Sequence, residues 1–180
     1  PSTVLILGAA AFAAGIGLRP TLISHGMHLT DETVCRYVEA GIHDVLLSFH
    51  SIGRSSVQIY GRDRSVHMAQ VRAVDRLRAH GVPFRINCTV IRDNLPELER
   101  VAEFAIENGA RVVNYIMFNP YLEWSQVGDI EFQAKFSDLT AVVVRALEKC
   151  SRANVEVNVR YLPLCQQRWS RLVRPPDGAA

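Results

Sequence analysis

The sequence predicts an α/β fold, specifically a partial (β/α) barrel of about five parallel strands with outer helices. Three observations predict it. A helix, a helix-ending residue, a short link and a strand recur along the chain, in "GLRPTLISHG", "GIHDVLLSFHS", "GVPFRINCTVI", "GARVVNYIMFN" and "NVEVNVRYLP". Each stretch opens on a residue that tolerates the left-handed backbone closing a helix: Gly17, Gly41, Gly81, Gly109 or Asn154. Finally, several of the strands carry polar residues at one parity, which a sheet covered by helices on both faces would not accept.

The elements follow in order. "VLILGAAAFAAGI" is a 13-residue apolar run, too short to span a bilayer, with no basic segment before it. It is expected to be a buried helix or a strand plus helix. Residues 31–40 form a helix with Val34, Tyr37 and Val38 on one face and Thr30 or Asp31 as its cap. Residues 66–79 place Val66, Ala69, Ala73, Val74 and Leu77 on one stripe. Residues 95–107 bring Leu98, Val101, Ala102 and Ala105 together, and 132–150 do the same with Phe136, Leu139, Val143 and Leu147.

Strands that alternate with helices run parallel, and the crossover helices cover one face of the sheet. In "FRINCTVI", Phe84, Ile86, Cys88 and Val90 should therefore meet helices, while Arg85, Asn87 and Thr89 point the other way. "VEVNVRY" repeats the division, with Val155, Val157, Val159 and Tyr161 set against Glu156, Asn158 and Arg160. "VLLSFH" groups Ser48 and His50 with Leu46. Polar groups on one side of several parallel strands predict a polar barrel interior, where each needs a partner. A bound ligand or water could supply it. A bland alternative has Arg85 and Asn87 at an exposed edge, or satisfied by Glu156 and Asn158.

Other features narrow the function. Twenty basic residues against 18 acidic ones leave a net charge of +2, which makes no electrostatic case for nucleic acid or an anionic membrane. Cys35, Cys88, Cys150 and Cys165 include no CxxC pair, so reduced thiols in a cytoplasmic protein are expected. His25, His28 and His43 lack metal-ligand spacing. Arg62, Asp63 and Arg64 read as a solvated loop with Tyr60 as a candidate lid residue. "NPYLEW", from Asn119 through Pro120, Tyr121 and Glu123 to Trp124, reads equally as a substrate-facing loop or a packing cap. Residues 1–165 are taken as one barrel unit, and 166–180, including "RPPDGAA", as a helix remnant and disordered tail.

Several motifs in order carry a family resemblance: Ser24-His25-Gly26, Thr30-Asp31-Glu32, Ser48-Phe49-His50-Ser51, Ile59-Tyr60-Gly61-Arg62, and Asn87-Cys88-Thr89-Val90 with Asn94. Over roughly residues 17–165 the chain resembles the later strands of the radical S-adenosylmethionine (radical SAM) enzymes. The resemblance implies a partial (β/α) barrel, S-adenosylmethionine and a four-iron, four-sulfur cluster as cofactors, and radical hydrogen abstraction from a substrate, a small molecule or a peptide. It implies that Ser48 lies near the methionine or ribose part of the cofactor and Asn87 near the ribose. Backbone groups around Met117 and Phe118 would approach the adenine. His50, Arg85, Thr89, Asn119, Asn158 and Arg160 become candidates to face the substrate. The chain departs from the family in having no CxxxCxxC motif, whose three thiolates hold the cluster, and no glycine-rich "GGEP" strand tip. Both would lie upstream of residue 1, and the chain alone is expected to be inactive. Cys165, with no further cysteine after it, is not expected to ligate a cluster. A non-catalytic remnant is the alternative reading. An ordinary barrel lyase or isomerase using Glu156, His50 and Arg85 is disfavoured, because no strand carries a lysine and the units number five, not eight.

Overall fold

A computed structural model describes residues 3–52, 64–119 and 131–161. The Ile59–Arg62 motif with Tyr60, Asp63, the Pro120–Trp124 part of "NPYLEW", Cys165 and the 166–180 tail lie outside the described residues.

The elements alternate as the sequence predicts. They are α1 (Thr3–Gly15), β1 (Thr21–Ser24), α2 (Asp31–Glu39), β2 (Asp44–Ser48), α3 (Arg64–Ala79), β3 (Phe84–Val90), α4 (Leu98–Glu107), β4 (Val112–Met117), α5 (Phe136–Arg152) and β5 (Glu156–Arg160). The strands form one sheet in the order β1-β2-β3-β4-β5, with every neighbouring pair parallel. This is the partial (β/α) barrel. All five helix-ending residues have positive φ: Gly17, Gly41, Gly81, Gly109 and Asn154. Thr30 caps α2, its hydroxyl accepting from the Thr33 N–H at 3.2 Å, and Asp31 and Glu32 place negative charge at the positive end of that helix.

The core lies between the outer face of the sheet and the helices. Val45, Leu47, Phe84, Ile86, Cys88, Val90, Val113 and Tyr115 meet Val34, Val74, Leu77, Leu98, Val101, Leu139 and Val143, all of them essentially inaccessible. Each such large side chain contributes about 1.5–3 kcal/mol by leaving water. Tyr115 brings a hydroxyl into this layer and donates to the Leu98 carbonyl at 2.7 Å. Phe49 stacks on Phe104 with ring centroids 4.7 Å apart.

Three expectations are corrected. The first helix is apolar on every side but not buried: Val4, Leu5 and Phe12 are each 71% exposed. Only its Ala10 is buried in the core, and Ala14 meets the link after α2. Val38 is half exposed, because the buried stripe of α2 runs through Val34 and Tyr37 and the helix ends at Glu39. The helix read over 95–107 opens as a 3-10 turn, Arg92–Glu97, before α4 begins, since Pro96 has no N–H to donate. No helix among the described residues is long and apolar enough to cross a membrane.

Candidate functional site

The inner face of the sheet carries the polar residues. Burial along β3 alternates strictly, with Arg85, Asn87 and Thr89 at the half-buried positions between fully buried neighbours. Register aligns this face across the sheet. Ser48 pairs with Asn87, Asn87 with Asn114 and Asn114 with Asn158, so a hydroxyl and three carboxamides form one row over β2 to β5. The next row toward the strand carboxyl ends holds Thr89, Ile116 and Arg160. Among the described residues this face is uncovered at its margins: Ile23 is 70% exposed, and Glu156 and Arg160 are also exposed.

The row is partly knitted together. Asn158 Nδ2 donates to Asn114 Oδ1 at 3.3 Å and to Glu156 Oε1 at 2.8 Å, while Asn114 Nδ2 makes a long 3.4 Å bond to the Ile86 carbonyl. Arg85, one row below, is not held by Glu156. It forms an ion pair with Asp44, Nη2 to Oδ1 at 2.7 Å. The satisfied network considered from the sequence therefore exists in a different form, and Arg85 is engaged with a protein carboxylate.

The strand tips are fixed by side-chain bonds to the backbone. His50, just beyond β2, accepts the Thr89 N–H on Nδ1 at 2.9 Å, which leaves the neutral ring its proton on Nε2. Burial lowers the His50 pKa, in agreement with that neutral form. Asn94 is fully buried; it donates to the carbonyls of His50 and Thr89 at 2.8 Å each, and its Oδ1 accepts the Ile91 N–H at 2.9 Å. Ser51 donates to Glu97, which also accepts the Ile52 N–H at 3.2 Å. Gln70 Nε2 donates to the Ser48 carbonyl at 2.7 Å. The Phe49 N–H bonds the Asn87 carbonyl at 2.9 Å, and the Phe118 N–H bonds the Val90 carbonyl at 3.0 Å.

The structure thus brings Ser48, Asn87 and Asn158 into one row, with Thr89 and Arg160 beside them and His50 at the tip of β2. Met117 lies on the outer parity of β4 and is 2% exposed, so only its backbone is available to a ligand on the inner face. Phe118 and the exposed Asn119 follow at the end of β4. Sequence reasoning missed Asn114 as a site residue. Its signal was a carboxamide inside the otherwise apolar "VVNYIM", but only register shows that it falls between Asn87 and Asn158.

The donor set fits one implied cofactor and not the other. Hydroxyl and carboxamide groups on rigid strands suit the ribose hydroxyls and the amino-acid end of S-adenosylmethionine. An iron–sulfur cluster needs closely spaced thiolates. Cys88 and Cys150 are buried, burial pushes the Cys88 thiol far up and the Cys150 thiol to about 11, and Cys35 is exposed. Among the described residues there is no group of three His, Cys, Asp or Glu side chains able to hold a metal.

Parallel strands, outer helices and a polar inner face define the class: a partial (β/α) barrel. The chain is similar to two curated proteins, and its fold is that of a solved structure. An "AdoMet-dependent heme synthase" of Oleidesulfovibrio alaskensis is 30% identical over 120 residues, which is 65% of this chain and 30% of that protein. A "PqqA peptide cyclase" of Ruegeria pomeroyi is 30% identical over 95 residues, 53% of this chain and 25% of that protein. SuiB of Streptococcus suis, bound to its precursor peptide SuiA, superposes with a TM-score of 0.70 at 11% identity, covering 94% of this chain and 38% of that one. The same protein bound to S-adenosylmethionine gives a TM-score of 0.65 at 14% identity, covering 86% of this chain and 35% of that one. No family model matches. The chain spans a third or less of the two curated relatives.

Proposed function

We propose that this chain is the S-adenosylmethionine- and substrate-facing part of a radical SAM enzyme, with the cluster held by cysteines that are not in it. The observation that carries this reading is the row Ser48–Asn87–Asn114–Asn158, aligned on the inner face of four parallel strands. Ser48 and Asn87 hold the cofactor's hydroxyl and carboxylate groups. The backbone at Met117 and Phe118 lies beside its adenine. Thr89, Arg160, Asn119 and Asn158 face the substrate. His50 is a neutral group anchored at the β2 tip by the Thr89 N–H. The bound cofactor supplies the radical, through a cluster for which this chain offers no CxxxCxxC ligands, so the chain by itself carries out no radical chemistry. The free thiols accord with a reducing, cytoplasmic setting.

Titration calorimetry of the full chain with S-adenosylmethionine tests the reading. Saturable binding is expected, weakened about tenfold or more by Asn87→Ala, the loss of one or two hydrogen bonds to the ligand. No binding by the native chain, or equal binding by the variant, counts against it. Iron and sulfide reconstitution should leave the chain without a stoichiometric cluster; a stoichiometric cluster overturns that half of the proposal.

A further inference from the structure

On the outer surface, away from the polar row, α2 and the end of α3 bring a thiol, an imidazole and a carboxylate together. Asp31 and Cys35 are four residues apart on α2 and share a helix face. His80 follows the last residue of α3, where its N–H continues the helical bonding to the Arg76 carbonyl at 3.0 Å. Its Nδ1 is 3.7 Å from Cys35 Sγ, within the reach of a sulfur hydrogen bond. Its Nε2 is 3.2 Å from Asp31 Oδ1. The other oxygen of Asp31 pairs with Arg76 Nε at 3.4 Å, and Arg76 Nη1 reaches back to the Leu29 carbonyl at 2.5 Å. Cys35 is a free, exposed thiol.

The order of these groups has chemical content. Asp31 accepts the Nε2 proton of neutral His80 and so leaves Nδ1, the nitrogen facing the thiol, as a proton acceptor. A nucleophile beside a base, with the base oriented by a third group, is the arrangement that activates cysteine. Arg76 holds the carboxylate from its far side, so the orienting group is itself fixed. The buried thiols Cys88 and Cys150 have no such access to a reagent.

We propose that Cys35 is a thiol–disulfide exchange site, with His80 as its base and Asp31 as the positioning residue for that base. The co-reactant is a low-molecular-weight disulfide such as oxidised glutathione. As Cys35 Sγ attacks one sulfur of the disulfide, its proton passes to His80 Nδ1. The new protein–small-thiol S–S bond forms while the reagent's S–S bond breaks. The departing thiolate takes a proton from the imidazolium and leaves as a thiol. One disulfide is consumed and one is formed, with no net oxidation.

The test uses the full chain in a Cys165→Ser background, with 5,5′-dithiobis(2-nitrobenzoate) and then oxidised glutathione as probes. The release of the small thiol is followed by absorbance, and the modified peptide is identified by mass. At about pH 7, Cys35 is expected to react first and about tenfold faster than glutathione measured alongside. His80→Ala should remove most of that advantage, and Asp31→Asn a smaller part of it. At about pH 10, where thiols ionise without a base, the native and His80→Ala rates should converge. That convergence also shows that Cys35 stays accessible in the variant, so a slow neutral-pH rate cannot be charged to altered folding. A Cys35 rate no faster than that of glutathione, or His80→Ala rates equal to native at neutral pH, overturns the proposal.

Discussion

The carboxamide of Asn94 donates to the carbonyl of His50 at 2.8 Å, across 44 residues of sequence. The same Nδ2 donates to the Thr89 carbonyl at 2.8 Å, and the Thr89 N–H returns to His50 Nδ1 at 2.9 Å. The carboxyl ends of β2 and β3 are thereby locked to each other by one fully buried side chain.

Asn94→Ala removes three bonds to buried backbone groups and leaves the Ile91 N–H and the carbonyls of His50 and Thr89 with poorer partners. It should destabilise the fold by about 2–4 kcal/mol, read as a lower urea midpoint. If the binding reading is right, any S-adenosylmethionine affinity should fall with it, since the strand tips lose their mutual position. A midpoint unchanged from native would mean that the Asn94 bonds contribute little.

Acidification should weaken the fold through His50. Its folded pKa lies below the ordinary value of 6.5 because burial disfavours the charged ring. Between those two values the unfolded chain binds the extra proton and the folded chain does not, so stability is full above about pH 6.5 and falls as the pH drops toward the folded value. His67, lowered chiefly by burial and raised in part by Glu97, adds to the same slope. Urea midpoints measured from pH 7.5 to 5 should show a shallower decline in His50→Gln. A parallel decline in both proteins assigns the effect elsewhere.

Asn114→Leu separates stability from binding. Asn114 is 5% exposed, donates only the long 3.4 Å bond to Ile86 and accepts a 3.3 Å bond from Asn158, which keeps Glu156 as its partner, so a similarly sized apolar side chain costs the fold about 1 kcal/mol. The variant should melt near the native temperature yet bind S-adenosylmethionine more weakly. Unaltered binding would remove Asn114 from the site.

Two glycines with similar backbone should respond differently to alanine. Gly41 has φ +76° and a Cβ there would lie 2.6 Å from the Ala14 side chain, whereas Gly109 has φ +73° and open space around it. Gly109→Ala should cost about 1 kcal/mol from backbone strain alone. Gly41→Ala adds a clash and should cost about 2–3 kcal/mol or loosen α1 from the link after α2. Thermal melts and proteolysis near residues 3–15 distinguish the two, and equal effects would mean that α1 yields freely.

Much of the fold was legible locally. A period of two along "FRINCTV", and a left-handed closing residue after each helix, are properties of a few adjacent residues, and the structure keeps them; along β5 the alternation fades, with Val157, Asn158 and Val159 all half-buried. The stripes of α3, α4 and α5 were readable for the same reason: a helix face is fixed by spacing along its own chain. The first helix misled because apolar composition states what a segment can bury and not what lies beside it.

By itself, the sequence determined the order of strands and helices, the parity that sends Arg85, Asn87 and Thr89 inward, and the residues at which each helix stops. Only the tertiary structure decided the register that sets Asn114 between Asn87 and Asn158, the choice of Asp44 rather than Glu156 for Arg85, and the meeting of Cys35 with His80. The physical reason is one of range. Alternation and capping are settled within a turn of chain, whereas register and cross-element pairs depend on how whole helices and strands pack, which no local window contains.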